Sequence, residues 1–160
     1  EYSKVNDGIL EATDKTLESA RKIAHNLLPP ILDKFGLKDA IEELADSFNN
    51  SKKITITYNL EYPKAYLTSD KELHLFRIVQ ELINNSVRHG KAKNSELNLV
   101  IEENKILLNY SDNGIGFNPN NLNHKKGLGM KNIESRVALL LGKFRIETEE
   151  NKGFKIFITL

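Results

Sequence analysis

Apolar and small residues at Val5, Ile9, Ala12, Leu17, Ala20, Ile23, Ala24 and Leu27 recur in steps of three to five, predicting one long amphipathic helix over 3–28. Pro29-Pro30 ends it, because proline lacks the amide and biases its predecessor out of the helical region. Such a stripe packs on a partner helix, and no second long helix follows to receive it. A missing hairpin partner, a dimer mate, or both would account for that. Beyond "ILDKFG", the spacing of Leu37, Ala40, Ile41, Leu44, Ala45 and Phe48 predicts a second helix. "KITITYNL" alternates, with Ile54, Ile56 and Tyr58 on one face of a strand. Ser69 followed three residues later by Glu72 reads as a capping box opening a helix to about His89. "ELNLVIEE" and "KILLNYSD" are two strands separated by a polar turn, and "NPNNLNHKK" offers so little to bury that a mobile loop is expected. "GLGMKNIESRVALLLG" predicts a helix entered through two glycines, and "KFRIETEE" with "GFKIFITL" a strand pair joined at "NKG". The order predicts a two-layer α/β sandwich with a mixed, mostly antiparallel sheet.

Composition narrows the classes without choosing one. With 160 residues, 39% hydrophobic and 28% charged, the chain can bury one ordinary core and carry a helical appendage. A formal net charge of +1 provides no large field for nucleic acid or an anionic membrane. The absence of cysteine removes disulfides, thiolate zinc sites and cysteine nucleophiles together. No apolar run reaches membrane-spanning length and no signal peptide opens the chain, while Glu1 in place of an initiator methionine suggests an excised fragment.

Three short patterns carry candidate chemistry. In "QELINNSVRHG", Glu81, Asn85 and His89 fall at i, i+4 and i+8, along roughly one helix face, with Ile78, Leu82, Ile83 and Val87 available to the sheet. A carboxylate can hold a water and an amide oxygen can ligate a hard cation such as Mg²⁺, although a solvated polar face has the same spacing. "SDNGIG" places Asp112, Gly114 and Gly116 after an alternating strand, which taken alone reads as an Asn-Gly hairpin turn. Gly127 and Gly129 stand at a helix entrance, where backbone amides can approach a phosphate, with Lys125 and Lys126 beside them. No G-K-[ST] follows and no G-x-G-x-x-G joins strand to helix, so neither a Walker loop nor a dinucleotide fingerprint is present.

In chain order the three patterns support one another. E-x-x-x-N-x-x-x-H, then D-x-G-x-G, then a polar loop and G-x-G resembles the ATP-binding domain shared by sensor histidine kinases, type II topoisomerases, mismatch-repair ATPases and the large heat-shock chaperone. The resemblance covers about Leu37 to Leu160. "LFRIVQELINNSVRHGKA", "GLGMKNIESRVALLLGKFRIET" and "ARKIAHNLLPPILDKFGLKDAIEEL" are together similar to bacterial sensor kinases whose dimerisation module ends in R-x-I-x-H-x-L-x-P-x-x-L. The resemblance implies a Bergerat-type ATPase fold over 37–160, with 1–36 as the second helix of a dimerisation hairpin and its linker. It implies ATP and Mg²⁺ as cofactors, Asp112 accepting a hydrogen bond from the adenine amino group, and Gly114 and Gly116 making room for the base. Asn85 would bind Mg²⁺, Glu81 would position water or support the metal shell, Gly127 and Gly129 would line the phosphates, and His89 and Lys126 would be secondary phosphate contacts. It further implies phosphoryl transfer to a histidine and relay to a response regulator receiver domain. The implied setting is a homodimeric parent and a cytoplasmic domain without direct membrane contact, whether or not the parent is membrane-anchored.

Two departures from the family pattern stand out. Gly153 is followed by Phe154 where a glycine-threonine turn is usual, and Ser135, between Glu134 and Arg136, takes the place of a usual glutamate-arginine. His25 has Asn26 beside it and precedes Pro29 by four residues, unlike the L-H-D or L-H-E setting of a phosphoacceptor. It is expected to be structural, with the acceptor helix outside this chain. An anti-sigma-type serine protein kinase and a non-catalytic dimer module are the alternative readings.

Overall fold

The longest helix of the described residues also organises the sheet. The computed structural model describes residues 29–118 and 127–160; the chain divides at Pro30, and the fold below is that of the unit Ile31–Leu160. The expected helix over 3–28, His25 included, and the stretch from Pro119 to Lys126 lie outside the described residues. In order come α1 (Pro30–Phe35), α2 (Leu37–Asn50), β1 (Thr55–Glu61), α3 (Ser69–Arg88), β2 (Asn94–Glu102), β3 (Lys105–Asp112), α4 (Leu128–Leu139), β4 (Lys143–Thr148) and β5 (Phe154–Thr159). The sheet runs β1-β2-β3-β5-β4, with β1 and β2 parallel and every other pair antiparallel. A parallel pair cannot be joined by a hairpin, so α3 supplies the crossover.

Alternation along the strands builds two unlike faces. Cross-strand partners form continuous rows toward the helices: Leu60, Leu99, Leu108, Ile158 and Phe144 in one, and Tyr58, Leu97, Tyr110, Ile156 and Ile146 in the next. Leu75, Ile78, Val79, Leu82 and Ile83 of α3 are buried, as are Leu37, Ala40, Ile41 and Ala45 of α2. The opposite face carries Asn59, Asn98 and Asn109 in register, with Asn59 Nδ2 donating to Asn98 Oδ1 at 3.1 Å. One buried and one polar face is the two-layer arrangement expected of an antiparallel-rich sheet. No described helix is long and apolar enough to cross a membrane.

Two local details add to the sequence reading and one corrects it. "PILDKF" is helical: Pro30 occupies the first helical position, where a missing N–H costs nothing, and Gly36 at φ 93° ends the turn with its N–H on Leu32 O at 3.0 Å. Tyr58 shares a face with Ile56 yet remains exposed, because β1 is the sheet edge; its hydroxyl reaches Asp46 Oδ1 at 3.3 Å. Asn49 covers part of the same edge, its side chain bonding both Ile56 N (2.6 Å) and Ile56 O (3.1 Å).

The correction concerns the capping box. Thr68 is the N-cap of α3, and neither Ser69 nor Glu72 makes the reciprocal side-chain bonds. Glu72 instead turns inward, where the Tyr62 hydroxyl donates to its Oε1 at 3.1 Å and is itself held by Leu67 N at 3.2 Å. Burial pushes the Glu72 carboxyl above its ordinary value, and the bonds from Tyr62 and from the Leu37 backbone offset this only in part. A group whose folded pKa is raised costs no stability below the unfolded value and destabilises increasingly as pH rises through the folded one. Glu72→Gln should therefore gain stability relative to the parent as pH rises from the ordinary glutamate value of 4.5. Urea unfolding of both proteins across pH 4 to 8 checks this: the difference should grow with pH and then level off, and a pH-independent difference would refute it.

Candidate functional site

At the helix-facing end of the sheet a third row runs Ile56, Ser95, Asp112, Phe154 and Thr148. Asp112 closes β3 there, and the Asn-Gly that follows is not a hairpin turn. Asn113 ties back to the start of β2, its Oδ1 accepting the amides of Lys93 and Asn94 at 2.9 Å each and its own N–H donating to Asn94 O at 3.1 Å. The backbone then crosses the end of the sheet, with Ile115 N on Gly90 O at 2.8 Å, Asn151 N on Ile115 O at 2.6 Å, and Phe117 N on Thr148 Oγ1 at 3.2 Å.

These crossings explain the two glycines. A side chain at Gly114 would overlap Gly90 O, and one at Gly116 would overlap Glu149 O and meet Gly153 O at 2.6 Å. Gly116 also sits at φ 55°, a region that L-residues rarely adopt. Each glycine therefore allows one backbone strand to lie against another. Across the strand pair from Phe154, Thr148 carries a hydroxyl in the same row, donating to Gly153 O at 2.9 Å.

The Asp112 carboxylate is half-buried and held from two sides. Gly114 N–H donates to Oδ1 at 2.8 Å, and Ser86 Oγ lies 2.5 Å from Oδ2. Ser86 in turn accepts from the Tyr110 hydroxyl at 2.8 Å. Burial, the dominant cause, pushes the Tyr110 phenol up to about 12; the Ser86 bond and the nearby Ser95 hydroxyl favour the phenolate, and the Asp112 charge opposes it. Ser95 Oγ is near enough to the Tyr110 hydroxyl to bond to its ionised form, although it meets no strict hydrogen-bond geometry here.

On the neighbouring face of α3, Glu81 and Asn85 lie under the entrance to α4. Gly127 is the N-cap and Gly129 sits in the first turn, with no side chain capping the end and no acid in that turn. A methyl group at Gly129 would overlap Glu81 Oε1 and come within 3.1 Å of both Asn85 side-chain atoms, whereas one at Gly127 would meet nothing. Only Gly129 is thus required by close approach. The arrangement leaves a carboxylate and an amide beside free amides at a helix N-terminus, the chemistry of an anion site with room for a hard cation. Among the described residues no three His, Asp or Glu side chains cluster as a metal cage, so a cation here would take its remaining ligands from a bound anion and water.

The fold brings Glu81, Asn85, Asp112, Gly114, Gly116 and Gly129 to this end of α3. His89 is exposed at the C-cap, with its amide on Asn85 O at 2.9 Å. Lys126 lies outside the described residues. Sequence reading missed Ser86, Tyr110, Gly90 and Thr148. Ser86 left a usable signal: four residues after Leu82 and three after Ile83, it is a polar group on the sheet-facing side of an amphipathic helix and so needs a buried partner.

Comparison with known proteins places the chain among relatives and gives its family. The chain is 34% identical over 98% of its length to the sensor histidine kinase ComP of Bacillus subtilis, of which it spans 21%. It is 29% identical over 96% of its length to the sensor histidine kinase LiaS of the same organism, spanning 46% of that protein. The histidine kinase domain of the blue-light activated histidine kinase of Erythrobacter litoralis superposes with a TM-score of 0.65 at 14% identity, over 78% of this chain and 60% of that one. That likeness establishes the shared fold. Residues 70–160 match the sequence pattern of the group described as histidine kinase-, DNA gyrase B- and HSP90-like ATPase, and the chain belongs to that family.

Proposed function

We propose that this chain is the ATP-binding catalytic part of a sensor histidine kinase, delivering the γ-phosphate of ATP to a histidine for relay to a response regulator. The observation that carries the reading is the seat of Gly129 on Glu81 and Asn85, one residue along α3 from the Ser86 that holds Asp112. Two motifs distant in sequence thereby meet the third on one helix, with a base-recognition group beside Ser86 and a phosphate-lining helix entrance beside Glu81 and Asn85. The end-to-end match to sensor kinases, reaching beyond the ATPase family segment, favours the histidine kinase branch over a serine kinase. It also supports reading 1–36 as the end of a dimerisation hairpin and its linker, and 37–160 as the ATP-binding domain.

In this reading Asp112 accepts a hydrogen bond from the adenine amino group, and Gly114 and Gly116 keep the loop close enough to admit the ring. Gly127 and Gly129 line the phosphates with backbone amides, and His89 and Lys126 lie further out along them. Asn85 supplies an amide oxygen to Mg²⁺ and Glu81 orients a water or the metal shell. When bound, the ion neutralises phosphate charge. The residues themselves contribute position and electrostatics, which is what phosphoryl transfer requires of a protein. The setting proposed is cytoplasmic, within a homodimeric parent.

Substitutions should separate the two ends of the site. Asp112→Ala should weaken binding of an ATP analogue by about tenfold to a hundredfold, the range for a hydrogen bond to a charged group. Asn85→Ala should chiefly remove the dependence on Mg²⁺. Titration calorimetry with and without Mg²⁺ checks both, and wild-type binding in both variants would sink the assignment.

Gly129→Ala provides a steric test. Overlap with Glu81 should lower nucleotide affinity severalfold while the unfolding midpoint moves little, because Gly129 lies in the first turn of α4 and the atom it would meet is the movable end of the Glu81 side chain. Fluorescence titration with a labelled ATP analogue measures it.

For the activity, labelled ATP and Mg²⁺ are incubated with this chain, alone and with the upstream helix of the parent added back. Acid-labile, alkali-stable phosphate on the added helix is expected, with little on the chain alone. Substantial label on His25 would show a complete kinase core, and acid-stable label on serine would favour the serine kinase.

A further inference from the structure

Ser86 is 2% exposed and its hydroxyl has one proton and two lone pairs to place among three neighbours. Tyr110 lies 2.8 Å away, Asp112 Oδ2 2.5 Å, and Leu82 O 3.2 Å. Tyr110 retains its proton at neutral pH, so it donates to Ser86 Oγ. The Ser86 proton then has two acceptors, and the shorter contact to Asp112 falls in the range of charge-assisted O–H···O⁻ bonds, whereas the backbone oxygen of Leu82 lies beyond the usual distance. Donation runs from Tyr110 through Ser86 to Asp112. With Gly114 N–H on the other oxygen, each carboxylate oxygen receives one donor from the protein.

A carboxylate held this way is fixed in orientation and is acceptor-only. Its remaining lone pairs match a ligand group that donates a proton and repel a carbonyl oxygen at the same place. Ser95 adds an independent observation. Directly across the strand pair from Asp112, it is 3% exposed, and its Oγ lies near the Tyr110 hydroxyl without a hydrogen bond of strict geometry, a further buried hydroxyl beside the relay.

We propose that Ser86, supported by Tyr110, is a positioning residue that holds the Asp112 carboxylate as an acceptor and so sets the preference for a purine with a 6-amino group over one with a 6-oxo group. This deepens the nucleotide-binding reading above and rests on it. Neither residue touches the nucleotide; both act through Asp112.

Calorimetric titration of this chain with a non-hydrolysable ATP analogue and with its 6-oxo inosine counterpart tests the relay. The variants are Ser86→Ala, Tyr110→Phe, the double variant and Asp112→Ala, each checked for a parent-like circular dichroism spectrum. Ser86→Ala should weaken binding of the ATP analogue about tenfold and narrow its advantage over the inosine analogue by a similar factor. Tyr110→Phe should move both quantities less and in the same direction. In the Ser86→Ala background it should change neither, because the relay passes through Ser86. Unchanged affinity and unchanged base preference in Ser86→Ala, with binding lost in Asp112→Ala, would overturn the role of Ser86 and leave the site intact. A further effect of Tyr110→Phe in the absence of the Ser86 hydroxyl would overturn the relay. Parent-like binding in Asp112→Ala would remove the adenine reading, and this inference with it.

Discussion

Everything at the site is referred to α3, and α3 is held by the crossover it performs. A parallel β1–β2 pair requires a connection that leaves the sheet and returns, and this helix makes it with Leu75, Ile78, Val79, Leu82 and Ile83 buried against the sheet and α2. Burying one large aliphatic side chain contributes about 1.5–3 kcal/mol, so a stripe of five leaves little rotational freedom about the helix axis. That constraint aims the remaining faces. Ser86 is carried into the sheet row that contains Asp112, while Glu81 and Asn85 are presented to α4.

Close approach at glycines is the second constraint. Gly114 lies against Gly90 O, Gly116 against the β4–β5 turn, and Gly129 against Glu81 and Asn85. A Cβ at Gly114 or Gly116 would push apart backbone segments that meet at the site, and one at Gly129 would displace the Glu81 carboxylate. Gly153, at φ 80°, makes the same kind of contact with the Asp112 carbonyl, so the β4–β5 turn and the D-x-G-x-G loop brace each other. The Thr148 hydroxyl bridges them as well, accepting from Phe117 N and donating to Gly153 O. That hydroxyl lies across the strand pair from Phe154, at the same level of the sheet.

The polar groups beneath Asp112 show why burial and function are hard to separate here. A buried tyrosine, two buried serines and a half-buried carboxylate would be costly as isolated groups. Linked as Tyr110 to Ser86 to Asp112 they satisfy one another, with Ser95 Oγ as the exception. Glu72 with Tyr62 at the start of α3 is a comparable pair, but it faces away from the site and its raised pKa reflects burial alone as the winning effect.

Periodicity determined the element types because each helix and strand must bury one face, and the spacing of apolar residues states which. Leu37 to Phe48, the strands around Leu97 and Leu108, and the closing pair at 143–160 were legible for that reason, as was the two-layer architecture their order implies. The candidate site was legible as motifs, since E-x-x-x-N, D-x-G-x-G and G-x-G are short and local. Local pattern could not show what depends on distant partners. Ser69 and Glu72 have capping-box spacing, yet Glu72 is drawn inward by Tyr62, ten residues earlier. "DNGIG" has hairpin-turn chemistry, yet its glycines answer to Gly90 and Glu149. Ser86 reads as an ordinary helical serine until β3 places Asp112 and Tyr110 against it. Contacts of this kind are set by how α3 is seated across the sheet, which is a property of the packed core and of no single stretch of chain.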